Sequence, residues 1–167
     1  MIILSLKVQT VSLRKIIRLI VSCAIPLLVG VLAQFLSGGT ELYETIKQPP
    51  LSPPAIVFPI VWTILYVLMG FAAFLIYEKG FVKDYVRDAL KFYAIQLAVN
   101  FIWPIVFFRF EMFLAAFFVL VLLWVLVGIT TAKFYRIRHS AGIIMIPYWL
   151  WCTFAAYLNF GVWFLNR

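Results

Sequence analysis

The stretch Leu42–Met69 reads LYETIKQPPLSPPAIVFPIVWTILYVLM, with a cluster of prolines followed directly by a long apolar segment. Four prolines fall within Gln48–Pro54, where they fix φ and remove amide donors, so a regular helix is excluded there. The segment that follows, Ala55–Tyr77, carries no charge. One helical face of it contains Pro59, Trp62, Tyr66 and Gly70. A stiff loop beside an aromatic stripe indicates a binding cavity that the loop covers.

The rest of the chain is equally apolar. Of its 167 residues, 66% are hydrophobic and only 12% are charged, which is too apolar for a soluble domain of this size. At about 20 apolar residues per crossing, we predict five spans, at residues 16–36, 55–77, 90–108, 113–134 and 143–165. The expected fold is a single all-α integral membrane domain over residues 1–167, with a long proline-rich first loop.

Charge predicts the orientation of the chain. The net charge of +8 could suggest nucleic acid, but 11 of the 14 basic residues lie near the N-terminus, or in the second and fourth loops and the span ends beside them. Lys47, Arg109 and Arg167 are left on the other side. The positive-inside rule then places the N-terminus in the cytoplasm and the C-terminus outside, in a bacterial plasma membrane. Membrane lipids, and not nucleic acid, are the expected surroundings.

Several chemistries have no support in the sequence. No Asp, Glu, Lys or Arg lies in the middle of a predicted span, whereas ion-coupled transporters bury such groups along their pathway. The one histidine, His139, stands beside Arg138, so we predict no metal site and no cofactor. No arrangement for conventional hydrolytic catalysis is present.

The polar groups inside the spans follow helical spacing. Gln96, Asn100 and Trp103 share one face of the third span. In the fifth span, one face carries Tyr148, Trp151, Ala155, Leu158 and Asn159. Amides in hydrocarbon need partners, so these faces should point into the bundle. Two interpretations remain open, since the amides either bond neighbouring helices or orient a flat hydrophobic ligand between aromatic walls.

Ala94 and Ala98 are one turn apart in the third span. Small residues at this spacing allow two helices to approach closely. They therefore support either packing within the chain or a homodimer.

Three blocks together resemble one known family. They are LYETIKQPPLSPP with VFPIVWTILYVLMG, then QLAVNFIWPIVFF (Gln96–Phe108), then PYWLWCTFAAYLN (Pro147–Asn159). In this order they are similar to the TspO/MBR family of tryptophan-rich sensory and translocator proteins, also called peripheral-type benzodiazepine receptors. The resemblance implies five helices, a first loop that closes a pocket, and frequent homodimers. Members of the TspO/MBR family bind porphyrins, sterols and synthetic isoquinoline carboxamide and benzodiazepine ligands.

The resemblance also implies site residues, by position. The pocket would be lined by Tyr43, Trp62, Tyr66, Asn100, Trp103, Trp151, Ala155 and Leu158. The lid would contain Pro49, Pro50, Pro53 and Pro54. Some bacterial relatives degrade protoporphyrin in light, and there Trp62 and Trp151 would take part in photo-oxidation. No other catalytic residue is implied.

The chain departs from the family pattern at three positions. Leu42 and Leu51 stand where the family usually has tryptophan, which thins the aromatic lid. Phe118 stands where an acidic residue is often found. The expected function is a membrane receptor or translocator for hydrophobic planar ligands, protoporphyrin IX among them. The alternatives are a sterol or lipid transporter and a structural or regulatory partner of another membrane protein.

Overall fold

The computed structural model describes residues 2–39 and 42–167, with side chains from residue 13 onward in those ranges. The helices are α1 (Ile2–Ser37), α2 (Leu42–Thr45), α3 (Val57–Tyr77), α4 (Asp84–Pro104), α5 (Phe113–Ile137) and α6 (His139–Leu165). A π-helical turn, Ile105–Arg109, follows α4. Within the described ranges, the five helices other than α2 are long and apolar enough to cross a membrane. The prediction of an all-helical, five-span membrane protein is confirmed.

Four of the five long helices begin before or end after the apolar windows that the sequence predicts, whereas α3 begins two residues later, at Val57. Helix α4, for example, begins at Asp84 and not at residue 90. Hydropathy marks only the part of a helix that lies in hydrocarbon, whereas the backbone hydrogen bonds continue into the headgroup region. The carboxylate of Asp84 also favours a helix start, because it faces the positive end of the helix dipole.

The five long helices form a ring. Around the ring the order is α1, α3, α6, α5 and α4, and α4 closes against α1. Only Arg138 separates α5 from α6, in an extended conformation, so these helices are antiparallel neighbours. Gly142 allows the close turn, because a Cβ there would lie 2.4 Å from the Cβ of Tyr135.

The two ends of the ring differ. At one, which we call the basic end, Arg18 pairs with Glu78 at 3.1 Å and Lys133 pairs with Asp88. At the other, the loop end, Arg109 Nη1 donates to the Leu36 carbonyl at 3.1 Å. The half of the bundle beside the basic end is tightly packed, with fully buried side chains at Met69, Ile76, Val86, Val127, Phe134 and Met145. Internal space is therefore concentrated in the half beside the loop end.

Candidate ligand cavity

A cavity of about 480 Å³ lies between α1, α3 and α4 in the loop-end half. Its walls are apolar and aromatic, with polar groups only from Gln34, Thr63, Tyr66 and Asn100 and from the Trp62 and Trp103 indoles. The remaining lining residues are Leu27, Gly30, Val31, Ala33, Phe35, Phe58, Pro59, Pro104 and Phe108. This size and lining are typical of small-molecule sites, in which a few polar groups orient a mainly apolar ligand.

Glycines set the distance between α1 and α3. A Cβ at Gly70 would lie 2.5 Å from the Ser22 carbonyl oxygen, and one at Gly30 would lie 2.2 Å from Tyr66 Cε2. Both distances are shorter than van der Waals contact, so only glycine fits at these positions. The Tyr66 ring therefore rests against the α1 backbone, and the cavity occupies the space from there toward the loop end.

Asn100 forms the polar wall of the cavity. The Tyr66 hydroxyl donates to Asn100 Oδ1 at 2.8 Å, and Asn100 Nδ2 donates to the Tyr148 hydroxyl at 3.0 Å. The Tyr148 hydroxyl in turn donates to Gln96 Oε1 at 2.9 Å. Asn100 is only 2% exposed. Its amide thus bonds two neighbouring helices and also lines the cavity. The two interpretations of the intramembrane amides, helix packing and ligand orientation, are therefore compatible.

Two indoles separate the cavity from α6. The Trp62 ring lies 6.3 Å from Trp103 and 6.1 Å, edge-on, from Tyr148 of α6. Trp103 Nε1 donates to Asn159 Oδ1, also on α6, at 3.0 Å. Each ring contacts the cavity on one side and α6 on the other. The side chains of α6 behind them do not line the cavity.

The expected site residues fall into two groups. Trp62, Tyr66, Asn100 and Trp103 line the cavity. Ala155 and Leu158 lie outside the lining and are buried on α6, at 4% and 5% exposure. Tyr43 and Trp151 also lie outside the lining, and each contacts Phe58, at ring distances of 4.9 and 6.1 Å. Because Phe58 lines the cavity, these two aromatics support its wall from outside.

The proline-rich loop is docked on α6. The Tyr157 hydroxyl donates to the Pro50 carbonyl at 2.9 Å, and Asn166 Nδ2 donates to the Lys47 carbonyl at 2.9 Å. Pro49 packs so closely on Gly161 that a Cβ there would lie 2.5 Å from the proline Cβ. No loop residue that the structure describes lines the cavity. In this conformation the predicted lid, Pro49, Pro50, Pro53 and Pro54, lies beside the cavity and not across it.

Tyr43 fixes the fold of this loop. It is buried at 6% exposure, and its hydroxyl donates to the Pro53 carbonyl at 3.0 Å. Burial raises the pKa of the Tyr43 phenol above its ordinary value, because a charged phenolate would lose its solvation. The hydroxyl therefore stays protonated to a higher pH than a free phenol would and keeps this hydrogen bond.

The contribution of α1 to the cavity was not predicted from the sequence. Leu27, Gly30 and Gln34 line it from one face of α1, at i, i+3 and i+7. The available signal was a glycine and an amide one turn apart in an otherwise apolar helix. Phe58 was also missed, although it lies one turn before Trp62 on α3.

Comparison with known proteins identifies the fold. Residues 22–164 match the TspO/MBR family over almost the whole bundle. The chain belongs to this family. It is 38% identical over 124 residues to the tryptophan-rich protein TspO of Chlorobaculum tepidum, which covers 74% of this chain and 78% of the relative. It is 35% identical over 145 residues to the tryptophan-rich sensory protein of Cereibacter sphaeroides, 87% of each chain. The translocator protein of Ovis aries is 34% identical over 137 residues, 80% of each chain.

The three departures from the TspO/MBR pattern all lie outside the cavity. Leu51 is 82% exposed in the loop, with a left-handed φ of 67°. Phe118 is 63% exposed on the outer face of α5, and Leu42 belongs to the short helix α2. These substitutions change the loop and the lipid-facing surface but leave the cavity wall unaltered.

Proposed function

We propose that this TspO/MBR protein binds hydrophobic planar ligands with polar edges, and protoporphyrin IX in particular, in the cavity between α1, α3 and α4. The observation that carries the proposal is the wall of Trp62, Tyr66 and Trp103, with the Asn100 amide beside it. Indole and phenol rings bind flat π systems, and one amide suffices to orient a polar edge.

The proposal extends to the membrane and the assembly. The basic end would face the cytoplasm of a bacterial plasma membrane, so that the cavity lies in the outer half of the bilayer. Two copies would pair through α4, where Ala94 and Ala98 are both exposed on the outer face of the helix. The dimer contact would then lie opposite the polar face that carries Asn100.

Light-dependent degradation of the bound porphyrin is the chemistry that this wall best supports. The illuminated porphyrin ring supplies the reactivity, and dioxygen is the oxidant. Of the side chains that line the cavity, an indole at the edge of the porphyrin is the most easily oxidised. Trp62 lines the cavity directly, whereas Trp151 reaches it only through Phe58. We therefore assign the larger share of the photochemistry to Trp62.

A sterol or lipid transporter is the second candidate, and the largely apolar cavity lining favours it. The two candidates differ in whether the ligand is altered. Transport requires only reversible binding, whereas photo-oxidation consumes the porphyrin when light and dioxygen are present.

The test is a titration of the purified protein with protoporphyrin IX. Binding is monitored in the dark by quenching of tryptophan fluorescence, and degradation is monitored under light by porphyrin absorbance. We expect saturable dark binding, and loss of absorbance only under light. Trp62→Phe should still bind protoporphyrin IX measurably in the dark, but most of the light-dependent decrease in porphyrin absorbance should disappear. The matched control is Trp163→Phe, near the end of α6 and outside the cavity lining, and it should behave as the unmodified protein.

Three results would count against the proposal. Absence of saturable dark binding would remove the porphyrin site. Binding without any change under light would favour the transporter, and full photodegradation by Trp62→Phe would remove the role of that indole.

A further inference from the structure

The side chains that line the cavity differ sharply in exposure. Ala33 and Asn100 are 1% and 2% exposed. On α1, however, Val31 and Phe35 are 65% and 80% exposed, and Pro59 and Thr63 on α3 are exposed as well. A residue that both lines a cavity and is exposed stands at its mouth. The mouth of this cavity therefore lies between α1 and α3.

The depth of the mouth follows from the helix geometry. At about 1.5 Å per residue, the mouth extends from Phe35 and Pro59, about 3 Å from the helix ends, to Val31 and Thr63, about 9 Å from them. Both helices are long and apolar enough to span the membrane. The gap between them consequently opens sideways into the bilayer, just below the level of the headgroups, and not into water.

The other routes to the cavity are blocked in the described part of the chain. The loop is fixed to α6 through Tyr157 and Asn166, and it contributes nothing to the cavity lining. Arg109 joins the π-helical turn to the Leu36 carbonyl, across the junction of α1 and α4. Toward the basic end, the packed core leaves no passage.

We propose that ligands enter and leave the cavity laterally, from the outer part of the bilayer, through the gap between α1 and α3. This inference rests on the proposed function. It defines the ligand class as amphipathic molecules that dissolve in the membrane, with an apolar ring that slides between the helices and a polar edge that stays near the headgroups. Gln34 and Thr63 supply the polar groups at the mouth. The loop is a structural strap on α6 and not the entrance.

The test compares exchange rates of protoporphyrin IX in proteoliposomes, measured by rapid mixing for association and by competitor chase for dissociation. The double variant Val31→Phe with Thr63→Phe narrows the mouth from both helices. Its matched control is Leu28→Phe with Ile60→Phe, which adds the same bulk to the same two helices at exposed positions outside the cavity. In a third protein, a disulfide between Lys47→Cys and Asn166→Cys locks the loop to α6 in its docked position.

We expect the narrowed mouth to slow association and dissociation together, by about tenfold or more each. The equilibrium affinity, to which Val31 and Thr63 contribute as lining residues, should change by a smaller factor than either rate. The control pair and the locked loop should exchange ligand at the unmodified rate. Slow exchange in the locked loop, with unchanged rates in the narrowed mouth, would overturn the lateral route and leave the binding proposal intact. Faster dissociation alone in the narrowed mouth would also overturn it, because that pattern marks a binding contact. Failure of the unmodified protein to bind protoporphyrin IX would refute the proposed function itself, and this inference with it.

Discussion

At the scale of single residues, Asn100 connects stability to binding. Its amide joins Tyr66 of α3 and Tyr148 of α6 from a position on α4 that is almost fully buried. Asn100→Ala leaves the Tyr66 hydroxyl without its acceptor, which costs about 1–3 kcal/mol. We expect a lower unfolding temperature in detergent without ligand, together with weaker binding of protoporphyrin IX.

Tyr66→Phe is the comparison for Asn100→Ala, since it removes a single hydrogen bond and leaves the bond to Tyr148 in place. It should lower the unfolding temperature less than Asn100→Ala does. If Asn100→Ala binds ligand poorly but unfolds at the original temperature, the amide acts on the ligand alone, and the role in helix packing is wrong.

Gly30 gives a second prediction at this scale. The methyl group of Gly30→Ala would overlap the Tyr66 ring, so either the ring moves into the cavity or α1 moves away. Overpacking of this kind costs about 1–3 kcal/mol, and we expect it to reduce affinity for protoporphyrin IX as well. The control is Gly128→Ala, whose nearest neighbour, Trp149 Nε1, would be 3.3 Å away. Equal effects of the two substitutions on affinity would contradict the assigned contact.

At the scale of elements, the polar faces of two helices could be predicted from the local sequence, whereas the position of the loop could not. The polar and aromatic faces of α3 and α4 could be predicted, because Trp62, Asn100 and Trp103 stand out at regular spacing in apolar segments. The cavity face of α1 is marked only by Gly30 and Gln34, since the leucine and valine there look the same as lipid-facing residues. The docking of the loop depends on contacts such as Tyr157 with Pro50, 107 residues apart along the chain. Local sequence carries no signal for such a contact, so the loop was expected over the cavity and not beside it.

Releasing the loop tests this arrangement. Tyr157→Phe combined with Asn166→Ala removes the hydrogen bonds to Pro50 and Lys47. We expect faster proteolysis within residues 45–54, because the loop loses its anchors, and unchanged equilibrium affinity for protoporphyrin IX. The bundle should stay folded, as followed by circular dichroism. A marked loss of affinity on release would restore the loop to its predicted role as a lid.

At the scale of the whole molecule, the orientation that we propose rests on the separation of the basic end from the loop end. Two exposed positions mark the ends, Leu51 at 82% and Val82 at 89% exposure. In a background of Cys23→Ala and Cys152→Ala, a membrane-impermeant maleimide applied to intact bacterial cells should label Leu51→Cys and not Val82→Cys. The reverse pattern would invert the topology and place the cavity in the inner half of the bilayer.

Variants at two adjacent residues of α1 test whether the ligand binds between α1, α3 and α4. Leu27 lines the cavity, whereas its neighbour Leu28 is 61% exposed outside the cavity lining. The measurement is the equilibrium affinity of Leu27→Trp and Leu28→Trp for protoporphyrin IX in the dark. Because the added indole fills the cavity only in Leu27→Trp, we expect that variant to lose at least about tenfold in affinity, or about 1.4 kcal/mol, and Leu28→Trp to bind as the unmodified protein does. Unchanged binding by Leu27→Trp would contradict this binding site and place the ligand elsewhere in the bundle.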